Sequence, residues 1–169
     1  MTTTPKLGAY NYRFGAIAAA IGIVFSLMLH FMDMTYEQSP IIQLISYLIP
    51  TVLVIMAILN FKKNNKGLLS IGQSIKLGVG VFFVSGIIGF LYFLIYSNTL
   101  EPDFTANFAQ IQAEAVREAN PDLDEDIIQM QQESIQKYFY IGYFIFFLIP
   151  SLLIGLLVGL FTGIFAKKS

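Results

Sequence analysis

Four stretches free of Asp, Glu, Lys and Arg constrain this chain more than any other feature of its 169 residues. They cover residues 14–32, 41–61, 77–96 and 138–166. At about 1.5 Å of rise per residue, a helix over each is long enough to cross roughly 30 Å of hydrocarbon. The last is longer than needed and should tilt or project from one interface. A soluble domain spends about a quarter of its residues on charge. Here 12% are charged and 56% apolar, which argues against a water-soluble globule. The expected fold is an all-α integral membrane protein with four transmembrane helices, taken as a single membrane domain over residues 1–169.

Lysine and arginine placement sets the expected orientation. Lys6 and Arg13 precede the first stretch, Lys62, Lys63, Lys66 and Lys76 lie between the second and third, and Lys167 and Lys168 follow the fourth. Eight of the ten basic residues therefore share one face, which the positive-inside bias makes cytoplasmic, with both termini. The other face receives Asp33 and Glu37, then nine acidic residues against Arg117 and Lys137 between residues 97 and 137. The first stretch exceeds the usual apolar core of a signal peptide, and His30, Phe31, Met32 and Asp33 follow in place of a small-residue cleavage pattern, so it is read as a retained span. Tyr10 and Tyr12 at the inner boundary, and Tyr92, Tyr96, Tyr138, Tyr140 and Tyr143 at the outer one, are expected to form interfacial belts.

The absence of Cys excludes disulfides, thiolate metal sites and thiol nucleophiles. A pI near 5.7 gives no electrostatic case for nucleic acid. His30 is the single histidine, and on a continuing helix Asp33, three residues on, would share its face. A metal there would need a third ligand, for which Glu37 is the local candidate. An interfacial His beside a wet carboxylate is the favoured reading, so no catalytic, cofactor-binding or metal-binding residues are assigned and no cofactor is expected. The acidic run at Asp122, Asp124, Glu125 and Asp126 lacks the loop glycine and terminal glutamate of a calcium loop. It is read as favourable charge at a helix start.

Internal similarity suggests a 2+2 hairpin repeat. Leu48-Ile49-Pro50-Thr51 matches Leu148-Ile149-Pro150-Ser151, and Arg13-Phe14-Gly15 matches Lys76-Leu77-Gly78. Each proline frees a carbonyl four residues earlier, Ser46 or Phe146, and Thr51 or Ser151 is placed to help satisfy it. Small residues recur at helical spacing at Ser151, Gly155, Gly159 and Gly163, at Ala18, Gly22 and Ser26, and at Ser85 and Gly89. In lipid, such stripes mark close helix contacts, expected here within the chain.

Between the third and fourth spans, residues 98–137 are expected to form an extracytoplasmic two-helix insertion. Pro102-Asp103 would start the first helix, with Phe104, Phe108, Ile111 and Ala115 as its apolar stripe. Asn120 would cap the second with Pro121 at its first position. Leu123, Ile127, Met130 and Tyr138 would face the first helix or the bilayer. On the opposite side, Lys62-Lys63-Asn64-Asn65-Lys66-Gly67 reads as a basic turn. Leu68, Ile71 and Ile75 after it are spaced for a short interfacial helix leading into the third span.

Ser70-Ile71-Gly72-Gln73-Ser74-Ile75-Lys76-Leu77-Gly78 and Leu100-Glu101-Pro102-Asp103-Phe104, followed by the acidic helical pair and a final span, resemble the bacterial membrane family called domain of unknown function 4199. The resemblance covers about residues 8–168. It implies a small four-helix protein of a Gram-negative inner membrane and carries over no functional residues. The expected role is a non-enzymatic interaction or structural component acting through its acidic extracytoplasmic helices. Its partners would be the lipid bilayer and a second copy or another membrane protein. The alternative is a small oligomeric channel or transporter, which would use Gln43, Thr51, Ser85, Ser151 and Thr162 around a wet cavity.

Overall fold

A computed structural model describes residues 5–37 and 39–167. Among these residues the chain is all-helical, with five helices and no strand: α1 (Leu7–Phe31), α2 (Pro40–Asn64), α3 (Ile71–Thr99), α4 (Phe104–Ala119) and α5 (Glu125–Ala166). All but α4 are long and apolar enough to cross a membrane. Lys168 of the basic C-terminal pair lies outside the described residues. The helices resolve into two compact units, one of residues 1–90 and 147–169, the other of residues 91–146.

In the first unit small residues are buried beside a few large ones, while Ile21, Val24, Met28, Leu48, Val52, Leu59, Leu153, Phe161 and Phe165 are exposed. Water does not tolerate contiguous apolar faces of this extent, whereas hydrocarbon solvates them. Helix association in that solvent gains little from apolar transfer, so it depends on close packing and a few interhelical hydrogen bonds. Gly155 and Gly78 supply the closest packing: a Cβ on Gly155 would sit 2.7 Å from the Gly78 carbonyl oxygen. One on Gly78 would collide with the carbonyl of Gly155, and one on Gly159 would lie 2.8 Å from the Ser74 carbonyl. Buried Ser74 donates its hydroxyl to the Gly159 carbonyl at 2.7 Å. The stripe Ser151, Gly155, Gly159 and Gly163 is thus an intramolecular α3–α5 contact. Gly22 and Gly89 have open space where a Cβ would be, so the other two stripes do not make contacts of this kind along their length.

On its other side α3 meets α1, where a Cβ at Gly15 would come within 2.7 Å of Val84. The matched glycines of the apparent repeat therefore meet different neighbours, Gly15 against α3 and Gly78 against α5. α2 packs on α1 through Phe61, whose ring meets Tyr10 edge-on at 5.4 Å, and Asn64 donates to the Tyr10 hydroxyl at 2.8 Å. Phe14, Ala18, Val54, Ala57, Ile58, Leu77, Val81 and Phe82 complete the core.

The helix expected from Leu68 into the third span forms from Ile71 only, as the first turns of α3 and not as a separate element. Lys66 and Gly67 adopt positive φ, at 54° and 81°, and close the turn after α2, with the Gly67 N–H on the Lys62 carbonyl. Ser70 then caps α3. Gln73 N–H donates to Ser70 Oγ at 3.2 Å, and the Gln73 side chain accepts from Ser70 N–H at 2.9 Å. This reciprocal capping box fixes the start of α3 at Ile71, one turn later than the apolar spacing implied.

Replacing Gly155 with Leu is expected to destabilise the folded protein by upwards of about 3 kcal/mol, because the obstructing atoms are backbone and cannot turn aside. Ser74→Ala removes one hydrogen bond and should cost about 0.5–1.5 kcal/mol. Gly142→Ala meets open space and should be neutral or slightly stabilising. Unfolding curves in mixed detergent micelles measure all three, and the order Gly155→Leu, Ser74→Ala, Gly142→Ala is the expected result.

Candidate functional site

The second unit is held together by rings. Phe93 of α3 stacks on Tyr143 of α5 at 4.4 Å and meets Phe104 of α4 edge-on at 5.2 Å. Phe139 joins them, 5.3 Å from Phe108 and 5.7 Å from Tyr143. Aromatic pairs in these geometries contribute about 0.5–1.5 kcal/mol each beyond area burial. Tyr96 is buried in the same cluster, and Tyr92, Tyr140 and Tyr143 are packed against it. These four tyrosines, expected in an interfacial belt, join this cluster, Tyr96 buried and the other three partly buried. Of the outer group Tyr138 keeps a belt-like exposure, with Lys137 Nζ 5.3 Å above its ring. At the other boundary Tyr12 is exposed and Tyr10 is packed on Phe14 and Phe61.

α4 begins at Phe104 as its sequence implied, though Asp103 makes no side-chain cap hydrogen bond. Its buried face is formed by Ala109 and Ala113, with Phe104 and Phe108 in the aromatic cluster, while Ala115 is exposed. Asn120 ends α4 rather than starting the next helix: its N–H donates to the Val116 carbonyl at 2.9 Å. Residues 120–124 form a turn, and α5 begins at Glu125, with Asp124 Oδ1 accepting the Asp126 N–H at 3.1 Å. The expected second external helix and fourth span are one continuous helix of 42 residues. The face that α5 turns inward carries Ile128, Ile135 and Phe139. Leu123, Ile127, Met130 and Tyr138, expected against α4 or lipid, are all exposed within this unit.

Arg117 bridges the α4–α5 turn to Glu125, its Nε donating to Oε2 at 3.2 Å and its Nη2 to Oε1. That hydrogen bond holds the Glu125 carboxyl below the ordinary glutamate range, and it raises Arg117, with Glu125 and Glu114 charges adding to it against desolvation. Because the folded value is the lower one, the contact's contribution is present above the unfolded glutamate value and fades as pH falls through the folded one. Both groups are solvent-exposed, so the pair orders the turn more than it stabilises the unit.

α1 ends at Phe31 and Asp33 takes φ 57°, so Asp33 is not on a helical face with His30. Thr35 Oγ1 lies 3.4 Å from His30 Nδ1. Among the described residues no group of three or more His, Cys, Asp or Glu is placed to hold a metal. In the first unit four hydroxyls bond carbonyls of their own helices: Ser46 on the Ile42 carbonyl, Thr51 on Tyr47, Ser85 on Phe82 and Ser151 on Phe147, at 2.9, 2.7, 3.1 and 2.6 Å. Thr51 and Ser151 therefore bond the carbonyl one residue beyond the one each proline frees.

A family model described as protein of unknown function (DUF4199) matches residues 13–168. The chain belongs to DUF4199. No curated protein and no solved structure matches it. The two stretches that carry the family resemblance are structural in this DUF4199 chain: residues 70–78 hold the α3 cap and the α3–α5 crossing, and residues 100–104 hold the turn that places Phe104 in the aromatic core. The capping box was legible as Ser70-x-x-Gln73 and went unread because the apolar spacing from Leu68 suggested an earlier start.

In carbon-detected NMR of the full chain, the Glu125 carboxyl is expected to titrate below its ordinary value of 4.5. Arg117→Gln should return it to that value, and an unchanged titration in that variant would show that the pair does not form.

Proposed function

We propose that this protein is a non-enzymatic, multi-pass component of a bacterial inner membrane that binds another protein through a helical pair on the extracytoplasmic side. The observation that carries this reading is where the polar groups are committed. Ser46, Thr51, Ser85 and Ser151 of the first unit are committed to carbonyls of their own helices, and Ser74 to a helix crossing. The second unit closes its own aromatic core and leaves Glu114, Glu118, Asp122, Asp124, Asp126 and Glu133 exposed. A surface of that charge has no packing role to fill within the chain, and exposed charge at a self-contained unit suits recognition.

The orientation rests on the eight Lys and Arg residues that flank the spans on one side. A 2+2 origin is supported by the Pro50-Thr51 and Pro150-Ser151 pairs, whose hydroxyls make the same bond to the carbonyl four residues back. The same duplication motivates a channel or transporter as the alternative reading. The hydroxyl hydrogen bonds favour the interaction role over it, since a solute path needs polar groups turned to a common space.

A fluorescent protein fused after Ser169 should be bright, and alkaline phosphatase inserted at Asp122 should be active; the reverse pattern overturns the topology. Crosslinking in cells from the exposed face of α4, at Ala115, and from Met130 of α5 should retain a protein partner through purification. Monomers alone from both positions would defeat the interaction role, and solute flux in proteoliposomes would replace it with the alternative.

A further inference from the structure

The arm of α5 within the second unit has two apolar stripes, and only one is used. Ile128, Ile135 and Phe139 turn inward. Ile127 and Met130, offset from them around the helix, are 51% and 68% exposed, and Leu123 of the turn before α5 is 37% exposed. α4 does not cover this second stripe. Lipid does not reach it either on the proposed topology. Met130 precedes Tyr138, the first residue of the expected span, by eight residues, about 12 Å of helix rise. The headgroup layer is roughly 5–8 Å deep on each side.

The surroundings of the stripe decide what fits it. Asp126, four residues before Met130, and Glu133, three after it, lie on neighbouring positions of the same helical surface. Asp122 and Asp124 stand at its open end, all four carboxylates being exposed. Residues 91–146 hold nine acidic and two basic residues, and one of the two, Arg117, is paired with Glu125. A second copy would bring a surface of the same sign against this one, and anionic headgroups would also be repelled. We infer that the Ile127–Met130 face of α5 docks a cationic amphipathic segment of a different protein, one whose apolar side chains fill the stripe while Lys or Arg residues meet Asp126 and Glu133. This deepens the proposed interaction role and rests on it. Apolar anchors would supply the affinity, and the carboxylate border would select the sign of the partner and speed encounter.

The test uses the full chain in phosphatidylcholine nanodiscs, with empty discs as the baseline. Three synthetic peptides of about 14 residues, roughly four helical turns, serve as probes: amphipathic Leu/Lys, amphipathic Leu/Glu with the same Leu positions, and Ser/Lys. The Leu/Lys peptide should bind above baseline and the other two should not. Ile127→Ser combined with Met130→Ser should weaken it at least about tenfold, as should Asp126→Lys combined with Glu133→Lys. All four positions are exposed, so the variants should keep the wild-type circular dichroism. Equal binding to the double-serine variant, equal binding of the Leu/Glu peptide, or no binding of the Leu/Lys peptide overturns the inference. In cells, a photo-crosslinking residue at Met130 should give adducts that map to a segment both apolar and basic. An adduct of two copies of this chain, or one mapping to a neutral or acidic segment, overturns the inference while leaving an interaction role standing. The absence of adducts at both Met130 and Ala115 defeats both.

Discussion

The backbone-to-backbone approach of Gly78 and Gly155 is the contact on which the first unit depends. In hydrocarbon, leucine on a helix surface gains nothing by turning inward, so the chain must draw its specificity from shape and from the few polar groups it can satisfy. Glycine at 78, 155 and 159 lets α3 and α5 meet carbonyl against Cα, and Ser74 adds a donor where the backbones are nearest. Once α3 is held there, its opposite face has room for α1 at Gly15, and α1 in turn presents Phe14 and Tyr10 to Phe61 of α2. Each later contact uses larger side chains than the one before it.

The second unit follows different rules. Here rings replace glycines as the packing element. Phe93, Phe104 and Phe139 come from three helices, so the cluster sets where α4 starts and how α5 lies beside it. The short turn at residues 120–124 can be irregular because the rings and the Arg117–Glu125 pair already fix its ends. That explains how Asn120 and Pro121, a favourable start signal, are bypassed: Asn120 is already committed to the end of α4 through Val116.

Much of this was legible because it is written in period and composition. The four spans, the Ser151–Gly155–Gly159–Gly163 stripe and the start of α4 are local patterns whose physical meaning does not depend on what lies opposite. What depends on a neighbour was not legible. Tyrosine at an interface and tyrosine in a core are the same letter at the same depth, and only the arrival of Phe104 and Phe139 distinguishes them. The His30–Asp33 relation assumed a helix that continues, and α1 stops at Phe31. For Leu123, Ile127, Met130 and Tyr138 the apolar pattern left α4 and the bilayer both open, because periodicity cannot say which neighbour a face takes.

That ambiguity is itself a physical statement. A helix that needed only to pack on α4 would require a single apolar stripe, and polar residues at 127 and 130 would cost it nothing in fold. An exposed Met at 68% and Ile at 51%, bordered by carboxylates that would favour water, set local solubility against local apolarity on one surface. Neither lipid nor the chain's own α4 resolves that opposition, while a segment carrying both apolar and cationic groups satisfies both halves of it at once. The charge sign that keeps this surface from meeting its own copy is the same one that would draw such a segment in.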